Sequence, residues 1–80
     1  MNIEKLFELA ETANDAELMW ILNQLTSVAR DPERLPDMIN FHRLYGKKIV
    51  AIYECWNLFQ LRSEEMIESV AESMRARLEA

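Results

Sequence analysis

Length, composition and charge exclude several classes of protein at the outset. The chain has 80 residues, half of them hydrophobic, with one glycine, two prolines and a formal net charge of −5 at pH 7. So few chain-breaking residues exclude a disordered chain and a turn-rich all-β fold, and the length suits one small domain. We therefore predict a single all-helical domain over residues 1–80.

The N-terminal segment has the pattern of two amphipathic helices. Its hydrophobic residues recur at intervals of three and four, as a helix with one buried face requires. Within this segment, Asn14 followed by Glu17 has the form of an N-cap with an acidic third helical residue. We predict helix 1 over about 3–13 and helix 2 over about 15–30. A single helix with a kink at Asn14 is the alternative, because the hydrophobic stripe nearly keeps its phase there.

The two prolines mark the clearest break in the chain. Pro32 and Pro36 each fit a first helical position and neither fits a helix interior, so the chain should reverse direction here. After Pro36 the hydrophobic stripe continues without losing register through Gly46. Its members are Met38, Phe41, Tyr45, Ile49, Ile52, Trp56 and Phe59. We predict one long helix over about 37–79, which can bend at Gly46.

A helix of this length would extend well beyond its own partners. At 1.5 Å per residue it would measure about 64 Å, whereas helices 1 and 2 placed end to end cover about 42 Å. Between Ile49 and Leu61 it is also hydrophobic on almost every side. We therefore predict a helical hairpin, with the long helix packed on two shorter ones, that assembles as a helical-bundle homodimer. The predicted dimer and core residues are Ile49, Ile52, Tyr53, Trp56 and Phe59.

The sequence contains no recognisable catalytic or metal-binding set. Cys55 is the only cysteine, and its ionisable neighbour Glu54 would not favour a thiolate, so we predict packing on the flank of the core rather than reactivity. His42, the only histidine, has no carboxylate or second histidine one helical turn away and is predicted to lie on the surface. We predict no enzyme activity, no catalytic residues, no metal site and no cofactor.

The C-terminal segment combines carboxylates with a hydrophobic stripe. The carboxylates form either a solvated face or a band that attracts a basic partner. The hydrophobic stripe fits either dimer packing or another protein's groove, and the abundance of glutamate argues against a membrane surface. The predicted partner-binding residues are Glu64, Glu65, Glu68, Glu72, Met66, Val70 and Met74.

The middle of the chain is locally basic. Residues 30–48 carry five basic and three acidic side chains, whereas both flanking segments are acidic. Arg43, Lys47 and Lys48 are the candidates for nucleic-acid contact, and a dimer would double their number. Interleaved acidic residues and the absence of a helix-turn-helix pattern weaken this interpretation.

Taken together, these patterns predict a small, acidic, non-enzymatic helical protein that acts through protein–protein interaction. An adaptor, antitoxin or inhibitor in bacterial or phage regulation fits this description, and a nucleic-acid-binding regulator is the alternative. The expected partners are a second copy of the chain and another protein. The sequence has no signal peptide, lipidation motif or long apolar run, so we predict a cytoplasmic protein without membrane association.

Overall fold

The chain folds into four α-helices and one short 3-10 helix within the residues that the structure describes. The structure, a computed structural model, describes residues 3–28, 32–59 and 64–79, and the side chains of these residues except at 28 and 57–59. The elements are α1 (Ile3–Ala10), α2 (Asp15–Val28), a 3-10 helix (Pro32–Arg34), α3 (Leu35–Phe59) and α4 (Glu64–Glu79). The all-helical fold class is confirmed.

The break between the first two helices lies where the capping pattern predicted it. The Asn14 backbone N–H donates to Glu17 Oε1, and the Glu17 backbone N–H donates to Asn14 Oδ1, each at 2.9 Å. This reciprocal pair satisfies backbone donors that the first turn of α2 would otherwise leave open. Separate helices are therefore confirmed, although α1 ends at Ala10, three residues before the predicted end.

The start of α3 and its passage through Gly46 also follow the sequence pattern. Pro32 begins the 3-10 helix, and Pro36 lies in the first turn of α3. Backbone N–H groups in the first turn have no partner within the helix, so the missing N–H of Pro36 costs no helical hydrogen bond. The helix then continues through Gly46 to Phe59 without interruption. Helix continuity at Gly46 is confirmed.

The predicted single helix over 37–79 is wrong. Here α3 ends at Phe59 and a separate helix, α4, begins at Glu64. The longest dimension of the molecule is 36 Å, far less than the roughly 64 Å of an unbroken helix. Instead, α4 packs against α2 of the same chain and buries Ala71 and Met74 there. Within the described residues, no helix extends beyond its packing partners. The homodimer prediction therefore loses one of its two arguments, the excess length of a single C-terminal helix.

The core is built around α2, which packs against each of the other three α-helices. Phe41 of α3 and Phe7 of α1 pack in a T-shaped pair with ring centroids 5.7 Å apart, and the ring centroid of Tyr45 lies 5.0 Å from that of Phe41. No polar side chain is buried among the described residues, so close apolar packing holds the helices together. The largest fully buried side chains are Leu6, Leu18, Ile21, Leu25, Phe41 and Met74.

Candidate functional site

A groove runs between three helices on the surface of the molecule. α2 packs against both α3 and α4, whereas the described parts of α3 and α4 approach each other much less closely. This arrangement makes α2 the floor and the other two helices the walls of a cavity of about 80 Å³. Its lining consists of Ala16, Met19, Trp20 and Asn23 from α2, Tyr53 and Trp56 from α3, and Met66, Ile67 and Val70 from α4.

Seven of the nine residues that line the groove are apolar, and Asn23 and the Tyr53 hydroxyl add polar groups. Both tryptophans of the chain contribute to it, Trp20 nearly buried and Trp56 half-buried. Met19 and Met66 are flexible and polarisable, and can adapt to side chains of different shape. A shallower depression continues the groove towards Asp15 at the start of α2. Surfaces of this kind bind apolar side chains that another molecule presents.

Carboxylates lie along α4 and at the start of α2, two of the helices that line the groove. Glu64 and Glu65 occupy the first turn of α4, where negative charge interacts favourably with the helix dipole. Glu68 and Glu72 lie exposed on the outer face of α4, next to Ile67 of the groove wall. The predicted acidic band is thus solvent-exposed, and its N-terminal half also stabilises the start of α4.

The residues predicted to bind a partner do not all lie on the surface. Met66 and Val70 are half-buried in the groove wall, where a ligand can contact them. Met74 is fully buried in the core, and Arg77 Nη1 lies 3.5 Å from its Sδ atom. Including Met74 among the partner-binding residues was therefore wrong, because folding within the chain already covers it.

The predicted dimer and core residues separate into three environments. Ile49 and Ile52 are buried in the core of the single chain, with exposed fractions of 6% and 5%. Trp56 lines the groove, and Tyr53 lies at the edge of the groove with 48% of its surface exposed. Phe59 ends α3, and its side chain lies outside the described residues. These residues therefore do not form one continuous exposed surface.

The basic residues of α3 are exposed but are not gathered on one side. Arg43, Lys47 and Lys48 all lie on the surface, and Arg43 Nη2 donates to Asn40 Oδ1 at 3.0 Å. Consecutive helical residues point about 100° apart, so Lys48 lies well round the helix from Lys47. Only Arg43 and Lys47 share one side, which gives a small patch of positive charge.

The two residues with reactive side chains are both solvent-exposed. His42 lies on the surface, as predicted. Cys55 is also exposed, so the prediction that it packs on the flank of the core is wrong. It precedes Trp56 by one position, and the helical rotation between the two turns Cys55 away from the groove. No three His, Cys, Asp or Glu side chains of the described residues lie close enough to hold a metal ion.

Sequence patterns missed the groove and the exposure of several large apolar residues of α3. Leu35, Ile39, Leu44 and Val50, which lie outside the predicted hydrophobic stripe, are 49–61% exposed.

Comparisons with protein-family models, curated proteins and solved structures find no significant match to this chain. None of the described helices combines the length and hydropathy that a membrane span requires.

Proposed function

We propose that this protein acts without catalysis, by binding an amphipathic helix of another protein in the groove between α2, α3 and α4. The observation that carries the proposal is the open apolar lining, which includes Trp20, Trp56, Met19 and Met66. A helix that lays its apolar face into such a groove is a recurring mode of peptide recognition. Adaptors, antitoxins and inhibitors use this kind of contact, and a regulatory role in the cytoplasm belongs to the same proposal.

The charges around the groove indicate the chemistry of the partner. Asp15 stands at one end, and the exposed carboxylates of Glu64, Glu65 and Glu68 lie along α4. A partner helix with lysine or arginine beside its apolar stripe would be complementary to this rim. Such charges mainly raise the association rate and orient the partner, while the apolar lining supplies most of the affinity.

The homodimer belongs to the proposal as a second interaction. Two chains would associate through the exposed apolar side of α3, which carries Ile39 and Val50 and lies away from the groove floor. In this arrangement the protein contacts itself along α3 and its partner in the groove. Ile39 and Val50 do not line the groove, so substitutions at these two positions can disrupt self-association separately.

The two tryptophans allow a direct test of the groove. A synthetic helical peptide with leucine at positions i, i+3, i+4 and i+7 and lysine on its polar face serves as the probe. We expect saturable binding in the micromolar range and a blue shift of the emission of the half-buried Trp56, because the bound helix removes water from the groove. A peptide with glutamate in place of lysine should bind more weakly.

A matched pair of surface substitutions shows whether the apolar lining is responsible. Ile67→Glu changes an exposed residue of the groove wall on α4. Leu44→Glu changes an exposed residue of α3 that does not line the groove. Both variants gain one negative charge, so a purely electrostatic attraction to the lysine peptide would strengthen equally in both. We expect Ile67→Glu to abolish binding and Leu44→Glu to retain it. Equal binding by the two variants would contradict the proposal.

Exposure of Arg43, Lys47 and Lys48 supports the alternative, a nucleic-acid-binding regulator. Fluorescence polarisation with a random DNA duplex at low salt tests it, with the Lys47→Glu, Lys48→Glu double variant as the comparison. Salt-sensitive binding that the double variant loses would favour this alternative. Absence of binding at tens of micromolar would remove it.

A further inference from the structure

An exposed apolar stripe follows the outer side of α3. Ile39, Val50 and Tyr53 are 61%, 57% and 48% exposed, and Gly46 lies among them. With about 100° of rotation per residue, these four positions fall within about 60° of one another around the helix. Exposed hydrophobic residues that share one side of a helix indicate a surface that another molecule covers.

Gly46 gives this stripe its shape. A Cβ atom added at this position would meet nothing within 4 Å, so no contact inside the chain requires a glycine there. Glycine nevertheless costs a helix interior about 1 kcal/mol relative to alanine. Its missing side chain leaves a gap in the stripe between Ile39 and Val50, and a gap of this kind accommodates a large side chain or a helix that approaches closely.

We propose that α3 packs antiparallel against α3 of a second copy of this chain, with the two-fold axis beside Val50. This inference rests on the proposed homodimer. Tyr53 also borders the groove, whereas Ile39, Gly46 and Val50 do not line it. Around such an axis, Val50 lies close to Val50 of the second copy. Residues at similar distances before and after Val50 come close together, so Tyr53 of one copy, three residues after the axis, lies near Gly46 of the other, four residues before it. The interface therefore contains two symmetry-related contacts, each between the large side chain of Tyr53 in one copy and the Gly46 position, which has no side chain, in the other.

Charge complementarity selects the antiparallel direction. Lys47 and Glu54 are both exposed and lie on the same flank of the stripe. They are seven residues, or about 10.5 Å along the axis, apart, which is too far for an ion pair within the chain. In the antiparallel pair, Lys47 of each copy lies beside Glu54 of the other, and both pairs can form. In a parallel pair, this flank of one copy would instead face the opposite flank of the other copy. That opposite flank carries His42 and the buried Ile49 and has no carboxylate.

Disulfide trapping tests the interface directly. In a Cys55→Ser background, which removes the natural thiol, Val50→Cys places one thiol beside the proposed axis. Leu44→Cys is the matched control, because Leu44 is 58% exposed on the opposite side of the same helix. Under mild oxidation we expect Val50→Cys to form a covalent dimer in high yield and Leu44→Cys to remain largely monomeric.

Charge reversal tests the register independently of any cysteine. Lys47→Glu or Glu54→Lys alone should weaken self-association by about tenfold, because two attractive contacts become repulsive. The double reversal should restore wild-type self-association, since the attraction returns with opposite signs. Restoration cannot come from within one chain, because the two residues are too far apart. Light scattering across a concentration series measures all four proteins.

The outcomes separate the interface from the homodimer itself. A wild-type chain that remains monomeric at tens of micromolar overturns both. A wild-type dimer in which Leu44→Cys is trapped as readily as Val50→Cys keeps the homodimer and overturns the α3 interface. A dimer that the double reversal fails to restore also overturns the antiparallel register. Circular dichroism of each variant confirms that the helices are formed, as expected for changes at exposed positions.

Discussion

Glu17 and Arg77, sixty residues apart in the chain, form an ion pair that joins the start of α2 to α4. Arg77 Nη1 donates to Glu17 Oε2 at 2.5 Å, while Glu17 Oε1 accepts the hydrogen bond from the Asn14 backbone. One carboxylate therefore closes the N-cap of α2 and also holds the last turns of α4. Local helix capping and the tertiary position of α4 depend on the same side chain.

The Glu17–Arg77 pair should make a measurable contribution to stability. The side chains are 16% and 39% exposed, so water screens the pair in part. We expect Arg77→Met to lower the free energy of unfolding by about 0.5–1 kcal/mol. Glu17→Ala should cost about 1–2 kcal/mol, because it removes the capping contact as well. Urea denaturation followed by circular dichroism gives both values.

Arg75→Met is the matched control for this experiment. Arg75 lies exposed on the outer face of α4, and its loss should change the free energy of unfolding by less than about 0.5 kcal/mol. A double-mutant cycle with Glu17→Ala and Arg77→Met should show a favourable coupling energy. Equal costs for Arg75→Met and Arg77→Met, together with zero coupling, would mean that the ion pair does not hold α4.

Two methionines of α4 should respond very differently to truncation. Met74 is fully buried, and Met74→Ala should lower the free energy of unfolding by about 2–4 kcal/mol through lost burial and a cavity. Met66 is half-buried in the groove wall, so Met66→Ala should cost about 1 kcal/mol or less. The midpoints of urea denaturation, at equal m-values, measure the difference. Similar costs at the two positions would argue against the packing of α4 on α2.

Gly46→Ala should stabilise the folded monomer. The added Cβ atom meets nothing within 4 Å, and alanine favours the helical conformation over glycine by about 1 kcal/mol. The measurement belongs in a Val50→Arg background, where self-association along α3 cannot contribute. We expect an increase of about 0.5–1 kcal/mol in the free energy of unfolding relative to Val50→Arg alone. A decrease would show that a contact inside the chain requires glycine at this position.

Local interactions made several features predictable from the sequence. The N-cap at Asn14 depends on a residue three positions away, and the turn at Pro32 depends on the proline ring itself. Continuity of α3 through Gly46 follows from hydrophobic residues on either side that keep one phase. In each case the decisive groups lie within a few residues of one another, so their order in the chain carries the information.

The C-terminal half was harder to predict because a hydrophobic stripe keeps the same spacing in one long helix and in two shorter ones. Ser63 before Glu64 and Glu65 has the composition of a helix start, although Ser63 itself lies outside the described residues. The predicted acidic band includes Glu64 and Glu65 but does not identify them as a helix start. An acidic first turn of a new helix is the better interpretation of Glu64 and Glu65.

The sequence by itself determined the helical class, the capped start of α2 and the long run of α3, because neighbouring residues make these choices. Only the tertiary structure decided that α4 returns to α2, since burying Ala71 and Met74 in the same core removes apolar surface from water that an extended helix would leave exposed. The groove is a consequence of that return. It forms because α3 and α4 share α2 as a floor without closing against each other, which depends on contacts between residues far apart in the chain.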